Sequence, residues 1–227
     1  LDAGQGFDAP DLLANERELH AEVAADLWRV HAQDATTGED LAALWPNGHD
    51  ELARDLPALL QAPVVLPPAA LPEHDPTPAL GAASATLVEA IEMHGEDARE
   101  RMARAFDGKV FDGRRARRPS FDKAFEELDR GRATGRWPRT DKTHLQKLLP
   151  AQLRDYCKEG QAAHVPASPL FDALAAWCAA DDAMEAWLAR RRAALLHRLR
   201  DEGRARVARL KRQRGVQGYD DLIAGVA

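Results

Sequence analysis

The sequence predicts an all-α fold: an irregular set of helices with a proline-rich crossing strap and one long C-terminal helix. Three observations predict it. Alanine, leucine and arginine dominate the composition, and all three are good helix formers. Aromatic residues make up only 6%, and β-branched residues do not alternate in runs, so a sheet has little to be built from. Apolar residues instead recur at helical spacing along most of the chain.

The first helix is expected over 11–32, with Leu12, Leu19, Val23, Leu27 and Val30 on one stripe and Trp28 beside it. Pro10 precedes it, and Asp8 or Asp11 is placed to cap it. Two shorter helices follow over 39–44 and 49–60, separated by the turn Trp45-Pro46-Asn47-Gly48. The strap, 62–79, carries prolines 63, 67, 68, 72, 76 and 78, which forbid a regular helix and favour extended backbone. Its Val64, Val65, Leu66 and Leu71 suit a segment lying on a surface.

A helix over 80–106 presents Leu87, Ile91, His94, Ala98 and Met102 on one side. An irregular basic stretch leads to a helix from Ser120, with Asp122, Glu126 and Glu127 favouring its positive start. Helices over 145–158 and 170–180 precede the longest one, 181–214, about 50 Å at 1.5 Å per residue. Gly215 and Gly218 end it, and Tyr219 opens a further helix.

We read 1–227 as one helical fragment: acidic helices over 1–61, the strap, a helix over 80–107, a basic loop and helix over 108–147, and helices over 148–227. The chain begins at Leu1 and stops at Ala227 within a helical pattern, which reads as a piece of a longer protein. No apolar run approaches the roughly 18 residues of a membrane span, and no leader precedes the first helix, so a cytoplasmic protein is expected. Cys157 and Cys178 have no CxxC spacing and read as small buried apolar residues. The eight histidines show no HExxH spacing, so no metal site is expected.

Charge is segregated along the chain. Residues 1–108 hold 6 Lys/Arg against 21 Asp/Glu, 109–147 hold 12 against 6, and 148–227 hold 13 against 10. The overall net charge of −6 conceals a basic segment of +6.

Catalytic motifs are absent from the sequence. The Gly108-Lys109 pair has Ala103 at the upstream glycine position and Val110 after it, so it is no phosphate-binding loop. No GxSxG elbow is present. Asp181-Asp182 and Asp220-Asp221 are adjacent pairs whose carboxylates diverge by about 100° on a helix, and N-terminal capping accounts for them. We therefore expect no catalytic residue and no cofactor within the chain.

The candidate functional residues are cations suited to phosphate contacts: Lys109, Arg114, Arg115, Arg117, Arg118, Lys123, Arg136, Arg139 and Lys142. Phe111 and Phe121 lie among them as possible stacking partners, and Arg130, Arg132, Trp137 and Lys147 extend the stretch. The arginines of 190–214 read instead as a solvated face or a protein interface. On residues alone, a free-standing helical protein–protein interaction module with an acidic partner is the alternative to a nucleic-acid contact.

Four segments occur in an order that resembles a known family: LHAEVAADLWRVH (19–31), LARDLPALLQAPVVLPPA (52–69), SPLFDALAAW (168–177) and RLKRQRGVQGYDDLIAGV (209–226). In this order they are similar to the RecB family, the β subunits of bacterial exodeoxyribonuclease V. The opening LDAGQGFDAPDLLANE looks like the run after that family's HGFC motif. Tyr219, Asp220, Asp221 and Leu222 resemble the F/Y-D-D-[LM] signature that UvrD-type superfamily 1 helicases carry shortly before Walker B. The resemblance covers essentially the whole chain and implies the helical 1B insertion of a motor domain. It implies a non-catalytic part of an ATP-dependent helicase–nuclease of double-strand break repair and recombination, with ATP and magnesium bound elsewhere in the parent protein. It further implies contact with duplex DNA ahead of the fork and docking on the motor and on RecC-like and RecD-like subunits. The match carries over no residue-level DNA contact.

Overall fold

The computed structural model describes residues 11–13, 15–61, 65–68, 70, 74–138 and 144–218. It is all-α, with seven α-helices among the described residues: α1 (Arg17–His31), α2 (Ala35–Leu44), α3 (His49–Leu60), α4 (Thr77–Asp107), α5 (Arg118–Thr134), α6 (Pro150–Asp155) and α7 (Pro169–Arg214). Two-residue strands β1 (Asp11–Leu12) and β2 (Val216–Gln217) pair in parallel, Asp11 opposite Val216. The chain divides into two compact units, one of Leu1–Leu71 with Leu188–Ala227, the other Pro72–Trp187.

In the split unit, α1 begins at Arg17 and not at residue 11, because Asp11 and Leu12 pair with β2. Asn15 Oδ1 accepts from Arg17 N at 2.8 Å at this start, so Asp11 is no cap and Asp8 lies outside the described residues. Leu12 and Val30, expected on the buried stripe, are about half exposed. The rest of the stripe, Leu19, Val23 and Leu27, is buried against Leu52, Leu56 and Leu59 of α3 and Leu195, Leu199 and Val207 of α7. Each such buried leucine contributes about 1.5–3 kcal/mol relative to an exposed one. Gly203 marks the closest approach: a Cβ there would stand 2.8 Å from Leu60 Cδ2, so no larger residue fits without displacement. The second helix starts earlier than its apolar pattern, at Ala35, because the Asp34 side chain accepts from Thr37 N at 2.8 Å.

The strap is described at 65–68, 70 and 74–79; Val64 and Leu71 lie outside the described residues. Its last three residues are already the first turn of α4, where Pro78 is tolerated because it lacks only an N–H that has no helical partner there. Leu66 packs on the split unit's core, Val65 is 92% exposed, and Pro67 O accepts from His197 Nε2 at 2.9 Å. Helix α4 begins at Thr77, whose N–H donates to Asp75 Oδ1 at 2.8 Å.

In the central unit, Leu87, Ile91, Ala98 and Met102 of α4 are buried with Phe121, Phe125 and Leu128 of α5, Leu145, Leu148 and Leu153, and Leu170, Phe171, Leu174 and Trp177 of α7. Pro150 divides the expected helix over 145–158 into a 3-10 turn (Leu145–Leu148) and α6. Its last residues do not continue as helix. Phe111 instead bridges Cys157 in antiparallel fashion, Asp112 N donates to Tyr156 O at 2.9 Å, and Lys158 N to Val110 O at 3.0 Å.

Two expected helices, 170–180 and 181–214, are one, α7. Asp181 and Asp182 sit in its interior, so the capping role assigned to them is wrong. Gly215, at φ 63°, ends it as expected, because glycine enters the left-handed region without the clash of a Cβ. Tyr219, Asp220, Asp221 and Leu222 lie outside the described residues.

Candidate nucleic-acid interface

The basic stretch is pinned from beneath by apolar residues. Val110, Phe111 and Ala116 are buried, while Lys109, Arg114, Arg115, Arg117 and Arg118 between and beside them are exposed. Asp112 shapes the turn: its Oδ1 accepts from Arg114 N at 2.9 Å, and its carbonyl accepts from Arg115 N at 3.0 Å and Ala116 N at 2.8 Å. With the backbone held and the anchors turned inward, the arginine side chains point to solvent.

Phe111 and Phe121 do not join them. Phe111 is 4% and Phe121 1% exposed, in a ring cluster with Phe106 and Tyr156 at centroid separations of 5.2–6.1 Å. The stacking role proposed for these two rings is therefore incorrect; they are core, and burial of two large apolar faces outweighs a surface role.

The cations differ in what they already hold. Arg115 pairs with Asp155 and also donates to its carbonyl at 2.8 Å; Arg118 donates to Asp107 at 3.1 Å. Arg132 stands 3.7 Å from Glu92. The side chains of Lys109, Arg114, Arg117, Lys123, Arg130 and Arg136 have no hydrogen-bond or ion-pair partner among the described residues, and all six are exposed. Arg139 and Lys142 lie outside the described residues.

Two backbone features add to the local field. Helix α5 starts at Arg118 rather than at Ser120, which moves Asp122 out of the first turn. That turn contains no carboxylate and no side chain caps it, so the positive helix end faces Arg117 and Arg118 uncompensated. Lys109 has φ 54°, the one non-glycine residue with positive φ among the described residues. It occupies the position after a helix end where glycine is favoured, at a cost of about 1–2 kcal/mol for a side-chain-bearing residue.

Much of the arginine-rich part of α7 is engaged within its own unit. Arg191 and Arg192 approach Asp40, Arg206 approaches Asp26 and Glu202, Lys211 holds Glu16 at 2.7 Å, and Arg214 holds Glu22 at 2.5 Å. Arg204 donates to the carbonyls of Leu60 and Gln61, both at 2.9 Å. The acidic first quarter of the chain and this helix neutralise each other inside the split unit. Both units have a net charge of −3, so totals do not distinguish them. Arg190, Arg198, Arg209 and Arg212 of α7 are exposed without a hydrogen-bond or ion-pair partner among the described residues, and the basic stretch differs in having six such cations where acidic residues are fewer than basic ones.

Arg104 was missed by sequence reasoning. It is exposed, four residues before Gly108, without a side-chain partner among the described residues. It lies before the basic stretch, in the last turn of α4, where a cation also complements the helix dipole.

No family model and no curated protein matches this chain.

Proposed function

We propose that the chain is a non-catalytic accessory region of a RecB-like ATP-dependent DNA helicase–nuclease. In this reading it contacts duplex DNA ahead of the fork and docks on the motor and partner subunits. The observation that carries the DNA contact is the run of six exposed cations without side-chain partners among the described residues, Lys109, Arg114, Arg117, Lys123, Arg130 and Arg136, gathered in one basic segment of the sequence. Such cations neutralise phosphates and release counterions, a contact that positions nucleic acid without reading its sequence. Sequence independence suits a part of a translocating enzyme. The helicase assignment rests on the ordered sequence resemblance and on the all-α architecture that it implies. ATP and magnesium belong, in this reading, to the parent protein outside these residues.

The alternative, a free-standing interaction module, drew its appeal from the arginines of α7. Engagement of Arg191, Lys211 and Arg214 with Asp40, Glu16 and Glu22 weakens it, and Arg190, Arg198, Arg209 and Arg212 are the cations of that helix left exposed for such a partner.

Two labelled duplexes of unrelated sequence, titrated with the chain, test the contact. Equal affinities that fall steeply with salt are expected. Absence of binding at low salt, or a strong preference for one duplex, contradicts the reading. The encoding frame tests the assignment: a phosphate-binding loop upstream and an acidic Walker B motif downstream are expected, and a frame lacking both removes the helicase.

A further inference from the structure

Gly131 is buried in the last turns of α5, where glycine destabilises a helix relative to alanine. The ring beside it explains why no side chain stands there. A Cβ on Gly131 would overlap Trp137 Cε3 and stand 2.5 Å from Cζ3 and 3.0 Å from Cδ2. The indole of Trp137 therefore rests directly on the bare backbone of α5. It also meets Trp177 of α7, with ring centroids 5.5 Å apart, and Trp177 is itself buried in the core of the central unit. A ring held by a helix backbone and a core indole is fixed by packing on two elements at once.

Arg136 precedes this seat, and its backbone is held from the helix side as well. Gly135, at φ 65°, ends α5 with its N–H donating to Gly131 O at 2.9 Å. Thr134 Oγ1 donates to Arg130 O at 2.8 Å and accepts from Arg136 N at 3.2 Å. The chain is again on α5 at His144, whose N–H donates to Glu127 Oε2 at 2.8 Å and whose Nδ1 lies 3.0 Å from Oε1. Glu127 and Gly131 are one turn apart on the same face of α5, so the helix receives the chain at two neighbouring points. The guanidinium of Arg136, by contrast, is exposed and has no partner among the described residues.

We propose that Gly131 and Trp137 are positioning residues for Arg136: the bare helix position and the ring seated on it fix where this cation leaves α5, so that it meets a phosphate already ordered. Ordering a loop and a long side chain at the moment of binding costs entropy, which a seated residue has lost beforehand. The inference rests on the duplex-contact reading above and adds to it two uncharged residues that act only through Arg136. Helix propensity alone makes the opposite forecast, a harmless or stabilising change when Gly131 becomes alanine.

The test titrates a labelled duplex with the whole 227-residue chain at several salt concentrations, with circular dichroism to check that each variant folds. Arg136→Ala should weaken binding about threefold and reduce the slope of log K against log salt by about 0.9. Gly131→Ala changes no charge, yet it should unseat Trp137, shift tryptophan emission to the red and reproduce at least half of that loss in slope. In an Arg136→Ala background the same Gly131→Ala should leave affinity and slope unchanged. Trp137→Ala removes the seat from the other side and serves where Gly131→Ala does not fold. Wild-type chain that binds and loses affinity on Arg136→Ala, with the seat variants folded and binding normally, overturns the positioning role and leaves the duplex reading intact. A further loss from Gly131→Ala in the Arg136→Ala background also overturns it, because the glycine then acts through the fold. Wild-type chain that does not bind duplex overturns the reading itself, and the positioning role with it.

Discussion

Asp40 of α2 is gripped by Arg191 of α7, Nε to Oδ2 at 2.6 Å and Nη2 to Oδ1 at 2.9 Å, with the carboxylate almost fully buried. The two residues are 151 positions apart, and they tie the acidic start of the chain to the arginine-rich helix near its end. A buried two-bond pair of this kind adds little over an apolar pair, but breaking one side leaves an uncompensated charge. Asp40→Ala should therefore destabilise the split unit by about 3–5 kcal/mol. Arg191→Ala should act similarly, and the double substitution should cost clearly less than the sum. Urea unfolding of the three variants decides it; strict additivity would show that the pair is not coupled.

Lys109 sets stability against binding. Glycine removes the left-handed strain at φ 54° and removes the charge at once. Lys109→Gly should raise stability by up to about 1 kcal/mol while weakening duplex binding several-fold. Lys109→Ala, which keeps the Cβ and loses the charge, should weaken binding without the gain. Thermal melts and anisotropy titrations of both variants separate the two effects. Should Lys109→Gly lose stability, the strain argument is wrong.

The two thiols should behave differently. Burial, with Asp182 and Asp181 adding their charge, pushes the Cys178 thiol up from 9.0 to about 11. Cys157 is partly exposed, its Sγ donating to Lys158 O at 3.3 Å. A maleimide at pH 8 should label Cys157 first and Cys178 only on unfolding. Because the folded pKa of Cys178 lies above its unfolded value, its contribution to stability is complete below about pH 9 and is lost as pH rises toward 11. Cys178→Ala should flatten that alkaline loss. Equal labelling rates in the folded chain would contradict the assignment.

How far the sequence could be read depended on the range of the interaction involved. Helical periodicity located the stripes of α1 and α4, because burial of Leu19, Val23, Leu27 and Leu87 is a local pattern with one period. It failed where a distant segment decided. Asp11 and Leu12 leave the helix pattern to pair with Val216 and Gln217, and Phe111 leaves the surface to bridge Cys157. Neither partner is visible within a window of a few turns. Asp181 and Asp182 looked like caps because acidic pairs start helices often, yet nothing between Ala180 and Asp181 breaks α7. The basic stretch was legible as composition, whereas the division into spent and unspent arginines was not. That division depends on Asp155 and Asp107, which fold back onto Arg115 and Arg118 from outside the loop.

That division supplies the most direct measurement of the central claim: the salt dependence of duplex binding by three forms of the chain. Arg114 and Arg117 are unspent, so Arg114→Ala/Arg117→Ala should reduce the slope of log K against log salt by about 1.8, or 0.9 per lost phosphate contact. Arg115→Ala/Arg118→Ala, whose charges already serve Asp155 and Asp107, should change it by less than half as much. If both double variants retain the wild-type slope, or the paired arginines account for the greater loss, the exposed cations of this segment are not a phosphate-binding surface.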